Sequence, residues 1–122
     1  MIKIIGIDPG LSATGIGIVR GNGSTIKGYS FGSINTSQKK SLPDRLDHIF
    51  SKLLQILTDE NPDLMVVEDV FSLKKYPKSG ITLGQGSGVV MLSGHRTAVL
   101  SVEFPVRESK QVCTGNVNAP KH

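Results

Sequence analysis

Apolar residues occupy nearly every position from Ile2 to Ile7 and stop at Asp8, the pattern of a central strand covered on both faces. Pro9 cannot donate to a ladder and holds Asp8 extended, and Gly10 permits a turn, so the carboxylate belongs at the strand's C-terminal end. Thr14 to Arg20 reads as a second strand, Gly21-Asn22-Gly23 as a turn, and Ser24 to Ile34 as a third strand, which together make an antiparallel meander.

At Ser41 the period changes. Leu42, Leu46, Ile49, Phe50, Leu53, Leu54 and Leu57 recur at helical spacing, with Ser41 placed to cap and Asp44 and Asp47 near the positive end of the dipole. The spacing predicts an amphipathic helix over 43–58, broken by Asn61-Pro62. A second apolar strand follows from Asp63 to Val70, with Glu68 and Asp69 near its end, and the intervening helix makes a crossover that sets this strand parallel within the sheet. Residues 71–79 read as an exposed basic loop. A glycine-rich helix is expected between Gly80 and Ala98, where Gly80, Gly84 and Gly88 form one stripe that another backbone, from the sheet or a second subunit, can approach. Leu100 to Phe104 reads as a last strand ended by Pro105, and Val106 to Cys113 as a short helix.

The chain has 122 residues, 38% of them hydrophobic, with 14 Lys and Arg against 10 Asp and Glu. That suits one folded domain and excludes a large two-lobed machine. No apolar run approaches the ~18 residues of a membrane span. Cys113 is alone, so no intrachain disulfide and no cysteine zinc cluster is expected, and the N-terminus lacks the pattern of a signal peptide. The expected compartment is the cytoplasm. Charge is unevenly placed: residues 1–71 carry a net −1 and residues 72–122 a net +5. The basic half is a candidate polyanion surface, and a merely solvated face is the plain alternative.

Two acidic residues end the two strands expected at the sheet's centre. Neighbouring strands lie about 4.8 Å apart, so carboxylates at one level and on one face can share a divalent cation through oxygens at about 2.0 to 2.1 Å for magnesium. Without a cation such a pair repels. By alternation Asp8 shares a face with Ile2, Ile4 and Gly6. Glu68 goes with Leu64 and Val66, and Asp69 with Met65 and Val67. One of Glu68 and Asp69 faces Asp8; which one depends on a register that alternation does not supply. A metal placed there suits phosphodiester hydrolysis, which needs no serine or cysteine nucleophile. The alternative is that both acids simply cap strands.

The segment Gly6-Ile7-Asp8-Pro9-Gly10-Leu11-Ser12-Ala13-Thr14-Gly15-Ile16-Gly17 resembles the opening motif of the RuvC family of Holliday-junction resolvases. Four further segments follow in family order: Leu42-Pro43-Asp44-Arg45-Leu46, Val66-Val67-Glu68-Asp69-Val70-Phe71, Leu83-Gly84-Gln85-Gly86-Ser87-Gly88-Val89, and Lys110-Gln111-Val112 with Gly115 and Lys121. The resemblance covers essentially the whole chain. It implies an α/β protein of ribonuclease H-like fold, with a five-stranded mixed sheet flanked by helices and a single nuclease domain over 1–122. It further implies a homodimeric endonuclease that makes paired symmetric nicks in four-way DNA junctions during recombination and repair, using Mg2+ with Mn2+ as a substitute and working beside branch-migration helicases. By position, Asp8 and Glu68 match metal-binding carboxylates of the family. Phe71 matches an aromatic that reaches bases near the crossover, and Lys110 and Lys121 match lysines near the scissile phosphate. Lys74, Lys75 and Lys78 are implied phosphate contacts from the basic loop.

Two departures accompany the resemblance. The family takes its remaining metal-binding acids from a last helix, whereas no Asp or Glu follows Glu108 here, so the chain is expected to stop short of that helix and to leave apolar surface uncovered. Gly86-Ser87 stands where many relatives carry Ala-Arg. The first departure makes a non-catalytic junction-binding module the main rival. A YqgF-like nuclease shares the opening motif but not the glycine-helix segment or Lys110-Gln111-Val112. An actin-like ATPase needs two lobes, and Gly84-Gln85-Gly86-Ser87-Gly88 lacks the Lys-Ser/Thr of a phosphate loop.

Overall fold

Among the described residues, seven elements follow in the order β1 (Ile2–Asp8), β2 (Ala13–Asn22), β3 (Thr25–Asn35), α1 (Leu42–Glu60), β4 (Leu64–Asp69), α2 (Pro77–Arg96) and β5 (Ser101–Pro105). The computed structural model describes residues 1–69 and 77–105. The strands form one sheet ordered β3-β2-β1-β4-β5. β1 to β3 pair antiparallel, as the meander requires, and β4 joins β1 parallel after the α1 crossover. β5 extends the sheet parallel to β4. Val106 to Cys113, read from sequence as a helix, lies outside the described residues.

One face of the sheet builds the core. Ile5, Ile7, Ile18, Ile34, Met65 and Val67 are buried there together with Ile49, Leu53 and Leu57 of α1 and Val90 of α2. The heptad-like spacing of 49, 53 and 57 puts these three on one stripe of α1. Ser41 caps that helix by accepting the Asp44 amide at 3.3 Å, and Asn61 ends it in the left-handed conformation at φ 46°. At the start of the β1–β4 pair, the Lys3 amide donates to Asp63 Oδ2 and the Asp63 amide to the Lys3 carbonyl, each at 2.8 Å. Lys3 Nζ reaches the Glu60 carbonyl at 2.9 Å and Glu60 Oε1 at 3.2 Å. These bonds pin β1 against β4 at an offset of sixty residues, which the ladder keeps from Ile4↔Leu64 to Ile7↔Val67.

The structure corrects the expectation that β1 is covered on both faces. Ile5 and Ile7 are buried, but Ile2 is 55% exposed. The same open face carries Val19, Tyr29 and Phe31, which are 40%, 66% and 81% exposed, with the two rings edge to face at 5.3 Å. A near-continuous apolar run thus signals strand here without signalling two covered faces.

Of the two partners expected for the glycine stripe, the sheet is not the one that meets Gly84 and Gly88. Gly84 and Gly88 are exposed, and nothing lies within 4 Å of a Cβ placed on either, so neither is where the sheet approaches α2. That approach is at Gly94, where a Cβ would fall 2.7 Å from Met65 Cε and against Ser101 Oγ. Gly94→Val is therefore expected to cost about 1–3 kcal/mol by overpacking. Gly84→Ala, in open space, is expected to be neutral or to stabilise by up to about 1 kcal/mol. Urea midpoints of the two variants check the contrast. Finally, α2 begins at Pro77 rather than Gly80: proline is favoured in the first helical turn, where its missing N–H has no partner to lose.

Candidate active site

Asp8 ends β1 because Pro9 cannot continue the ladder, and β4 reaches its own acidic end at the same level. The ladder pairs Ile4 with Leu64, Gly6 with Val66 and Ile7 with Val67. One step further along both strands sets Asp8 beside Glu68. Paired residues on neighbouring strands share a face, so both carboxylates belong to the open face with Gly6 and Val66, opposite the buried Ile7 and Val67. The backbones are about 4.8 Å apart there. The sixty-residue offset thereby answers the question that alternation left open: Glu68, rather than Asp69, is level with Asp8, while Asp69 occupies the alternate position paired with Pro105.

The surroundings leave Asp8 accessible. On its other side it pairs with Gly15, and a Cβ on Gly15 would sit 3.5 Å from Asp8 Cβ, so a larger residue would crowd the carboxylate. Gly6 pairs with Gly17, and the Phe31 ring of β3 lies 3.7 Å from where a Cβ on Gly17 would sit. Asp8 is exposed and Glu68 half-buried. An exposed and a half-buried carboxylate at the ends of neighbouring parallel strands are oxygen donors of the kind a hard divalent cation takes. Among the described residues no group of three or more His, Cys, Asp or Glu side chains is placed to hold a metal.

The turn after Asp8 is tied down by hydroxyls. Thr14 Oγ1 donates to the Gly10 carbonyl at 2.7 Å and accepts the Gly10 amide at 3.4 Å, and Thr14 itself is buried. Thr36, just past β3, donates its amide to the Ser12 carbonyl at 3.0 Å and its hydroxyl to the Leu11 carbonyl at 2.6 Å. Arg45 reaches in from the first turns of α1, with Nε on Thr36 Oγ1 at 2.9 Å and an outer guanidinium nitrogen on Ser12 Oγ at 3.2 Å. Sequence reasoning gave these hydroxyls no part in the site. The available signal was Thr14 among the apolar and glycine residues of β2, a polar group that must find a partner once buried.

Of the other residues singled out by sequence, Lys78 lies in the first turn of α2. Phe71, Lys74, Lys75, Lys110 and Lys121 lie outside the described residues. No helix among the described residues is long and apolar enough to cross a membrane.

Comparison with known proteins places the geometry in context. The family model for crossover junction endodeoxyribonuclease RuvC matches residues 4–122. A protein of that name from Mannheimia succiniciproducens is 38% identical over 121 residues, covering 99% of this chain and 60% of its own length. One from Sphingopyxis alaskensis is 36% identical over 118 residues, covering 97% and 75% respectively. This chain therefore spans less than two thirds of the Mannheimia relative. Among solved structures, Thermus thermophilus RuvC in complex with a Holliday junction substrate superposes with a TM-score of 0.86 at 22% identity, covering 99% of this chain and 73% of that one. The shared fold is ribonuclease H-like.

Proposed function

Since the chain belongs to the RuvC family of crossover junction endodeoxyribonucleases, we propose that it is a single nuclease domain that nicks four-way DNA junctions symmetrically, as a homodimer, during recombination and repair in the cytoplasm. The observation that supports this reading is the β1–β4 register, whose last pair is Ile7↔Val67 and whose continuation by one residue on each strand brings Asp8 level with Glu68. Binding of a Holliday junction by the Thermus protein of like fold adds support for the substrate class. Branch-migration helicases are the partners that the family implies.

The family is metal-dependent, and Mg2+, with Mn2+ as a substitute, is the cation we propose for Asp8 and Glu68. A bound cation of this kind supplies activation of the attacking water and stabilisation of the leaving oxygen. The two carboxylates hold it by charge and by hard oxygen donors, at a level fixed by the β1–β4 ladder. Lys110 and Lys121 are proposed to position the scissile phosphate. Lys74, Lys75 and Lys78 contribute further phosphate contacts, and Phe71 contacts bases near the crossover. Water adds across one phosphodiester, the ester bond breaks, and a phosphomonoester and a hydroxyl remain.

The test is incubation of a synthetic four-way junction, and of linear duplex of the same sequence, with the chain in Mg2+ or Mn2+. The expected outcome is nicking of the junction in preference to the duplex. Junction affinity is expected to fall with salt with a log–log slope of about −4.5 per protomer, as for about five phosphate contacts from each. Lys110→Ala should weaken binding to all junction sequences and reduce that slope by about one. The lack, among the described residues, of a third metal-ligating side chain favours a second reading, a junction-binding module without hydrolysis. Salt-sensitive binding with no nicks in either metal would establish that module instead.

A further inference from the structure

Arg45 belongs to a sequence segment that marks the family, yet the mechanism above gives it no task. Its surroundings suggest one. The only salt bridge among the described residues joins Lys3 to Glu60. Arg45 instead directs Nε to Thr36 Oγ1 at 2.9 Å and another guanidinium nitrogen to Ser12 Oγ at 3.2 Å. A threonine hydroxyl has a single proton to give. With Nε donating to it, that proton is committed to the Leu11 carbonyl, 2.6 Å away, and each bond of such a chain polarises the next. The Thr36 amide on the Ser12 carbonyl at 3.0 Å closes the clamp. Arg45 thus fastens the end of β3 and the first turns of α1 to the two residues that complete the turn begun at Pro9, immediately after Asp8.

We propose that Arg45 is a positioning residue for the carboxylate pair: through Thr36 and Ser12 it fixes the β1–β2 turn, and so the orientation of the Asp8 carboxylate at the level that the ladder gives it. The proposal rests on the reading of those two acids as cation ligands. The Lys3 amide on Asp63 Oδ2 and the Asp63 amide on the Lys3 carbonyl pin β1 at its beginning, and pairing with Gly15 of β2 carries the ladder to Asp8. The end of β1 is followed by a turn whose conformation depends on hydroxyl contacts. A carboxylate there must be held to a fraction of an ångström to share an ion with a neighbour, and outer groups that orient ligands typically contribute 10- to 100-fold in affinity or rate.

The test compares Mn2+ titrations, followed by calorimetry and by junction nicking, for the wild-type chain, Arg45→Met, Arg45→Lys and Thr36→Val. Arg45→Met and Thr36→Val are each expected to raise the Mn2+ concentration for half-saturation about tenfold and to lower kcat, leaving the KM for junction and the junction affinity in EDTA unchanged. Arg45→Lys should restore part of the loss. The double variant should be no worse than either single one, since both break the same chain of bonds. A simple loss of stability would not shift a Mn2+ titration performed well below the melting temperature. If Arg45→Met does not fold, Thr36→Val and Ser12→Ala carry the same test. Wild-type Mn2+ binding with unchanged titrations in the variants would overturn this proposal alone. Failure of the wild-type chain to bind Mn2+ would overturn it together with the proposed function.

Discussion

Asp8→Asn and Glu68→Gln are each expected to lower junction nicking by a hundredfold to a thousandfold or more, the scale on which removing one preorganised charge contact lowers a rate. Both changes keep the shape of the side chain and remove its charge, so the ladder around them should survive. Asp8 is exposed at the end of β1 and Glu68 half-buried one strand away, so neither amide fills or empties a core site. Junction affinity should stay nearly constant if it comes from the proposed lysine contacts to phosphate rather than from the two acids. The measurement is a single-turnover nicking assay paired with a binding titration in EDTA. Unchanged nicking in either variant would remove that residue from the proposed metal site. A parallel loss of binding would show instead that the acids shape the DNA surface.

The second large effect concerns the core beneath the site. Leu53 is fully buried in the middle of α1, between Ile49 and Leu57 and over the β1–β4 face. Leu53→Ala is expected to cost about 2–5 kcal/mol, the sum of lost transfer energy and a residual cavity. Against a total of about 5–15 kcal/mol for a domain of this kind, that removes a large share of its stability. Leu42→Ala makes the control: Leu42 is 37% exposed at the start of the same helix, and its truncation should cost under about 1 kcal/mol. Urea unfolding monitored by circular dichroism gives both numbers. Equal costs at the two positions would contradict the placement of the core on this side of the sheet.

How much of this was legible in the sequence depends on the range over which each feature is determined. β1 ends at Asp8 as expected because Pro9 acts on the adjacent residue, and α1 is bounded by its own cap and by Asn61. These are local effects. The start of α2 was misplaced because Lys74 to Lys78 look like a solvated loop, although Pro77 carries a helix-start signal of its own. The match between Asp8 and Glu68 is different in kind. Alternation narrows the partner to one of two faces, but the sixty-residue offset arises from tertiary contacts, among them the two hydrogen bonds between Lys3 and Asp63 and the seating of Ile5 and Met65 in one core. No pattern within either strand contains that information. The resemblance to a family pointed to Glu68 by position, and the ladder supplies the physical reason why Glu68 is the level partner. The clamp of Thr14, Thr36, Ser12 and Arg45 was illegible for a similar reason: its members come from one strand, two connecting segments and a helix.

The central claim, that these two carboxylates jointly hold one divalent cation, is tested most directly by growing crystals of the chain in Mn2+ and recording anomalous scattering at the manganese edge. The account predicts a peak on the open face of the sheet, bonded to a carboxylate oxygen of Asp8 and to one of Glu68 at about 2.0 to 2.2 Å, a usual range for a hard cation of this size. Manganese bound elsewhere, or held by one of the two acids while the other turns away, would contradict it.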